Sequence, residues 1–114
     1  MSARVRKLLP ELKRLNRMKT KARKNFIGTC SKEFVHCICE CVKNLLKGNL
    51  HLKQRQLKSL SGHKQSLRTL ALKNVSLSRR KKILQKGGFL GLLIPTLVSS
   101  LSGLVGSLLS NGSR

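Results

Sequence analysis

The chain has 114 residues, with 25 Lys and Arg against three acidic residues, a formal net charge of +22, and neither Trp nor Tyr. That length supports at most one small domain plus a tail, and so few large aromatics limit the surface a core can bury. A charge this one-sided repels itself and points to a polyanionic partner, nucleic acid first and an anionic membrane second.

Residues 1–28 read as a basic arm. Arg4, Arg6, Lys7, Lys13, Arg14, Arg17, Lys19, Lys21, Arg23 and Lys24 are its candidate contacts to a phosphate backbone. Pro10 suits a first helical turn, after which Leu12 and Leu15 share a face with Leu8. The arm is expected to turn helical once its charges are neutralised. No apolar run of a secretory signal follows Met1, so the four Cys are expected as reduced thiols.

Residues 29–86 form a small basic body. Ser31 is placed to cap a helix over 32–47, with Glu33 in its first turn and Gly48-Asn49 closing it. Leu57, Leu60, Leu67 and Leu70 fall on one helical face, interrupted by Gly62, which predicts short helices at about 53–61 and 63–72. Ser76 caps a last basic helix over 77–85. Its run Arg79-Arg80-Lys81-Lys82 adds four candidate phosphate contacts and also has the composition of a nuclear-import signal. No segment alternates with period two. The expected fold is all-α, three to four short helices in the body with a basic N-terminal arm and a C-terminal hydrophobic helix, partly disordered alone.

Gly87-Gly88 is a hinge, with the C-cap chemistry that separates two helices. The tail, 89–114, has no charged side chain before Arg114. Its stretch FLGLLIPTLVSSLSGLVGSLL would span about 30 Å as a helix, close to a hydrocarbon core. Leu90, Ile94, Leu97, Leu101, Leu104 and Leu108 make a heptad-spaced stripe. Three readings stay open: a transmembrane helix with small-residue packing faces, an interfacial membrane-disturbing segment, or an apolar helix folded back over the body. If it spans, Lys81, Lys82 and Lys86 keep residues 1–86 cytosolic at an intracellular membrane.

Two constellations bear on chemistry. His36-Cys37-Ile38-Cys39-Glu40-Cys41 resembles a metal cluster, with Cys30 and His63 nearby in sequence. On a helix, however, Cys37 and Cys41 share a face with Cys30 and Phe34 while Cys39 points roughly opposite, so no metal or other cofactor is expected and Cys30, Cys37 and Cys41 read as small apolar residues on a buried face. Catalysis is not expected. There is no Asp, and Glu11, Glu33 and Glu40 lie apart. His36 and Cys37 point about 100° from one another, and no Gly-rich phosphate cradle is present.

Nucleic-acid binding is the positive case. Each neutralised phosphate contributes about −0.9 to the salt slope on duplex DNA. Three scattered Phe cannot build the stacking platform that single-strand and RNA readers use. The expected activity is therefore sequence-independent binding and compaction of double-stranded DNA.

The junction carries a resemblance. Gln85-Lys86-Gly87-Gly88 followed by Phe89-Leu90-Gly91-Leu92-Leu93-Ile94-Pro95 is similar to the adenovirus core protein X (mu precursor) family and to small basic proteins of Polinton (Maverick) elements and adintoviruses. The likeness covers roughly residues 79–109. It implies a DNA-packing protein of the virion core and host nucleus, a late protein whose partners include capsid proteins and an adenain-like protease. The family's cleavage pattern, carried over, puts a cut between Gly88 and Phe89, with Gln85 where the family has Met, Ile or Leu. Joined to the tail's character, it implies a membrane-active or membrane-inserting role for residues 89–109. The other function class is a C-terminal tail-anchored membrane protein or a membrane-disrupting peptide precursor with a basic cytosolic body.

Overall fold

The computed structural model describes the backbone of residues 3–50, 52–86 and 88–112, and the side chains of these as far as Leu101. Among the described residues there are seven α-helices and no strand: α1 (Ala3–Arg17), α2 (Thr20–Thr29), α3 (Lys32–Leu46), α4 (Gln54–Ser61), α5 (Lys64–Ala71), α6 (Leu77–Gln85) and α7 (Phe89–Gly112). The all-α expectation holds, but three to four helices is too few. The additional ones come chiefly from the arm, which forms two.

The arm folds because its apolar residues recur at helical spacing further upstream than Pro10 suggests. Val5, Leu8, Leu9, Leu12 and Leu15 are all buried, and the helix begins at Ala3, leaving Pro10 inside it. An interior proline forfeits one backbone hydrogen bond and crowds the preceding turn. Burying four Leu and a Val, at about 1.5–3 kcal/mol each, outweighs that cost. Pro10 is therefore not the start of the helix.

The central element is α3, which packs against α1, α5 and α6. Its entry is set by Ser31, whose Oγ accepts from the Phe34 N–H at 3.1 Å. Its exit is a Schellman turn: Asn49 N–H donates to Asn44 O at 2.9 Å and Gly48 N–H to Leu45 O at 3.1 Å, with Gly48 at φ +78°. That left-handed conformation is why glycine stands there. Being covered on several sides, α3 buries Phe34, Val35, Cys37, Ile38, Cys39, Cys41 and Val42. Cys39, which helical geometry turns away from Cys37 and Cys41, is buried all the same, because α5 and α6 close over its side.

The other body helices lie where their signals put them. Gly62 separates α4 from α5, and Ser76 Oγ accepts from the Arg79 N–H at 3.2 Å to open α6. The tail then turns back. A bend of 97° separates α6 from α7, and α7 packs on α1, α4, α6 and α2. Phe89, Leu90, Leu93, Ile94, Leu97 and Leu101 join Leu12, Leu15, Ile27, Phe34, Ile38, Leu70 and Leu84 in one core. Arm, body and tail thus share a single hydrophobic interior.

Candidate nucleic-acid interface

Once their apolar stripes are buried, the helices have only their basic faces left for water. In α1, Arg4, Arg6, Lys7, Lys13, Arg14 and Arg17 are exposed; Lys19 and Lys21 follow at the start of α2, and Arg79 and Lys82 on α6. The structure adds exposed cations that the sequence reading did not single out as contacts, including Lys32, Lys53, Arg55, Lys58, Lys64, Arg68 and Lys73. Two ion pairs occur among the described residues, Lys7–Glu33 at 3.7 Å and Arg4–Glu40 at 4.0 Å. Both are solvent-facing and of little energetic weight. Most of the positive surface is uncompensated.

Four of the proposed phosphate contacts are placed differently from the rest. Arg80 is 9 % exposed, and Arg23, Lys24 and Lys81 are half-buried. Three of these four bind the carbonyls that helix ends leave without an intrahelical donor. Arg23 closes α1, its Nε donating to Leu15 O at 3.3 Å and its Nη2 to Asn16 O at 3.1 Å. Lys81 Nζ reaches Gly28 O and Cys30 O, each at 3.2 Å, at the end of α2. Arg80 Nη2 donates to Leu72 O at 2.7 Å, just past α5. A cation at a helix C-terminus also meets the negative end of the helix dipole. Arg23 also lies close to Gly91, where an added Cβ would sit 3.2 Å from its Nη1 and the guanidinium would have to give slightly.

Sequence reasoning treated Arg79-Arg80-Lys81-Lys82 as four equivalent charges. Successive residues on a helix fan out by 100°, so they cannot all face one way. Arg80 is three residues after Leu77 and four before Leu84, on the stripe that α6 buries. That spacing was the available signal.

At the junction, Lys86 and Gly88 are exposed, while Phe89 is buried and Gln85 is held by its Nε2–H donating to Lys24 O at 2.9 Å. Gly87 lies outside the described residues. Of the tail stripe, Leu90, Ile94, Leu97 and Leu101 point into the core; the side chains of Leu104 and Leu108 lie outside the described residues. Among the described residues no single helix is long and apolar enough to cross a membrane, although α6 with the described part of α7 reaches that composition as a bent pair.

The aromatic residues are spent in the interior. Phe34 and Phe89 are buried, and the half-buried Phe26 meets Phe34 edge-on at 5.2 Å. Of the thiols, Cys37, Cys39 and Cys41 are buried and Cys30 is half-buried. Burial pushes Cys30 and Cys39 up, and Cys41 is raised by its hydrogen bond to Cys37 and by burial. Cys37 goes the other way, lowered by its hydrogen bond with Cys41 against the effect of burial. The three raised thiols are poor nucleophiles and poor ligands. Among the described residues no group of three or more His, Cys, Asp or Glu is arranged to hold a metal ion. His36 is shifted down by burial and then by Arg80, Lys32 and Arg4, the mark of a positive local field.

Comparison with family models, curated proteins and solved structures finds no match to this chain.

Proposed function

We propose that this protein binds and condenses double-stranded DNA without reading its sequence and without catalysing a reaction. The observation that carries this is the surface: exposed Lys and Arg from α1 to α6, with two weak ion pairs among the described residues to offset them. Many cations on a small helical body contact phosphates from several directions, which neutralises the duplex and lets neighbouring segments approach. Burial of Phe34 and Phe89, with Phe26 half-buried against Phe34, supports duplex over single strands, because no platform of open rings is left for bases to stack on. The resemblance at residues 79–109 adds the role of a virion core protein acting in the host nucleus beside capsid proteins.

Measuring affinity for a short duplex across salt is the direct test. A slope of several units in log–log form is expected, at about −0.9 per phosphate contact, with little difference between sequences. A flat salt response would refute the reading.

A second reading rests on the α6–α7 pair, whose length and apolarity suit a bent membrane span. The residues it would give to lipid include Leu93, Ile94 and Leu97, fully buried here. Insertion therefore requires α7 to leave the core. Resistance of the expressed protein to carbonate extraction from membranes is its signature.

A further inference from the structure

Capping α5 leaves part of the Arg80 guanidinium unaccounted for. It is held at 9 % exposure, Nη2 donates to Leu72 O, and Nε is buried with no hydrogen-bond partner. A full charge taken out of water is ordinarily matched by a carboxylate or by an acceptor at each proton. Neither ion pair among the described residues includes Arg80. The Cys39 thiol interacts with it, but sulfur is a weak acceptor. A guanidinium paired this incompletely leaves positive charge that an anion beside it would offset.

A cavity of about 230 Å³ lies beside it, opening to solvent. Arg4 of α1, Lys43 of α3, Lys73 of the segment between α5 and α6, and Arg80 of α6 all line it, together with His36 and Cys39. Four cations from four segments converge there. Glu40 is the one carboxylate in the wall, and it already meets Arg4 at 4.0 Å. The volume admits a phosphoryl group with a few waters at about 30 Å³ each. A carboxylate offers acceptors in one plane, whereas phosphate offers them in several directions, which suits donors that arrive from separate helices. Arg is also the side chain best fitted to hold phosphate when partly desolvated.

We propose that this cavity between α1, α3, α5 and α6 is a phosphate-binding site in which Arg80 is the buried anchor and Arg4, Lys43 and Lys73 complete the shell. The phosphate is either one of the duplex backbone or a free one. Only the first source rests on the DNA-binding reading; the site itself does not. In the duplex case a protein that otherwise holds DNA by diffuse charge has one fixed point of register, since phosphate contacts set orientation.

His36 gives the readout: burial and then the field of Arg80, Lys32 and Arg4 disfavour its proton, and a bound dianion would relieve that field. Inorganic phosphate is titrated into the full-length protein at constant ionic strength, with His36 and the Arg80 Nε–H followed by NMR. Saturable shifts of both are expected, with an upward move of the His36 midpoint that chloride does not reproduce. Lys73→Ala, exposed and remote from the core, should weaken phosphate binding about tenfold, and Lys43→Gln similarly. Lys58→Ala on α4, outside the cavity wall, should change nothing.

A short duplex that displaces the phosphate assigns the site to the backbone. Phosphate retained beside bound duplex assigns it to free phosphate. Linear shifts matched by chloride, or equal losses in Lys73→Ala and Lys58→Ala, overturn the site. Duplex binding that leaves His36 and Arg80 unmoved removes the backbone assignment while the DNA-binding reading stands. Saturable phosphate binding with no duplex binding does the reverse.

Discussion

Helices α1 and α7 pack against one another and do the same work with opposite materials. In α1 five apolar residues face inward and the outer face carries Arg4, Arg6, Lys7, Lys13, Arg14 and Arg17. In α7 the inward face is Phe89, Leu90, Leu93, Ile94, Leu97 and Leu101, and its outer positions include Gly91, Leu92 and Ser99, with no charge at all. Charge on an outer face therefore says what that face meets, while its absence does not by itself assign a helix to lipid. As far as Leu101, the apolar stripe of α7 is covered by protein. What distinguishes the two helices is the surface they leave behind: a cationic one, which attracts anions, and a neutral one, which neither attracts nor repels them.

The most severe way to break this pairing is to delete residues 89–114. Leu12 and Leu15, fully buried now, would lose part of their cover, and a core this small has little reserve. Loss of cooperative thermal unfolding and of dispersed amide resonances is expected. A truncated chain that melts like the intact one would show that α7 is not a core layer.

Within α7, Leu97→Ala should cost about 2–5 kcal/mol in urea unfolding, and Ile94→Ala a similar amount. Leu92→Ala, at a position 38 % exposed, should stay within about 0.5 kcal/mol. Equal effects at Leu92 and Leu97 would mean that the buried face has been misassigned.

The counterpart on α1 is charge removal. Replacing Arg6, Lys13, Arg14 and Arg17 by Gln should leave unfolding nearly unchanged. The duplex salt slope should fall by roughly 0.9 for each residue that contacts a phosphate. Uniform loss over different duplex sequences is part of the expectation, because backbone contacts carry no base information.

The smallest effect concerns pH. His36 has a folded-state pKa below its unfolded value, owing first to burial and then to Arg80, Lys32 and Arg4. Above the unfolded value near 6.5 both states are neutral and nothing is lost. As pH falls through 6.5 the unfolded chain takes the proton more readily, so stability declines until the folded midpoint is passed. The melting temperature of the native protein should therefore drop between pH 7.5 and 5.5 by slightly more than that of His36→Gln. Identical profiles would remove His36 as a contributor.

Much of the fold was legible because its signals are local. Ser31 and Ser76 cap the helices they were expected to cap, Gly48 closes α3, and Gly62 divides α4 from α5. Pro10 misled because a single residue's preference was weighed against a stripe that continues through Val5. Cys39 looked outward-facing because helical phase gives direction but not how many neighbours a helix has. The candidate site was legible as an inventory of cations and not as an arrangement. Arg23 and Lys81 cap α1 and α2, and Arg80 reaches the carbonyl just past α5; those carbonyls lie close only after the helices pack. His36, Lys43 and Lys73 meet Arg80 across a cavity formed by four separate segments.

By itself, then, the sequence determined the partition of charge, the helical period of each apolar stripe and the caps that end the helices. All of these act over a few residues and depend on chemistry carried by the chain itself. The tertiary structure alone decided that the tail's stripe faces α1, that Cys39 is enclosed, and that Arg80 is buried while Arg79 and Lys82 remain in water. The reason is that hydrophobic burial has no direction and no preferred partner. An apolar stripe states that it must be covered, and which surface covers it follows only from the geometry of the whole.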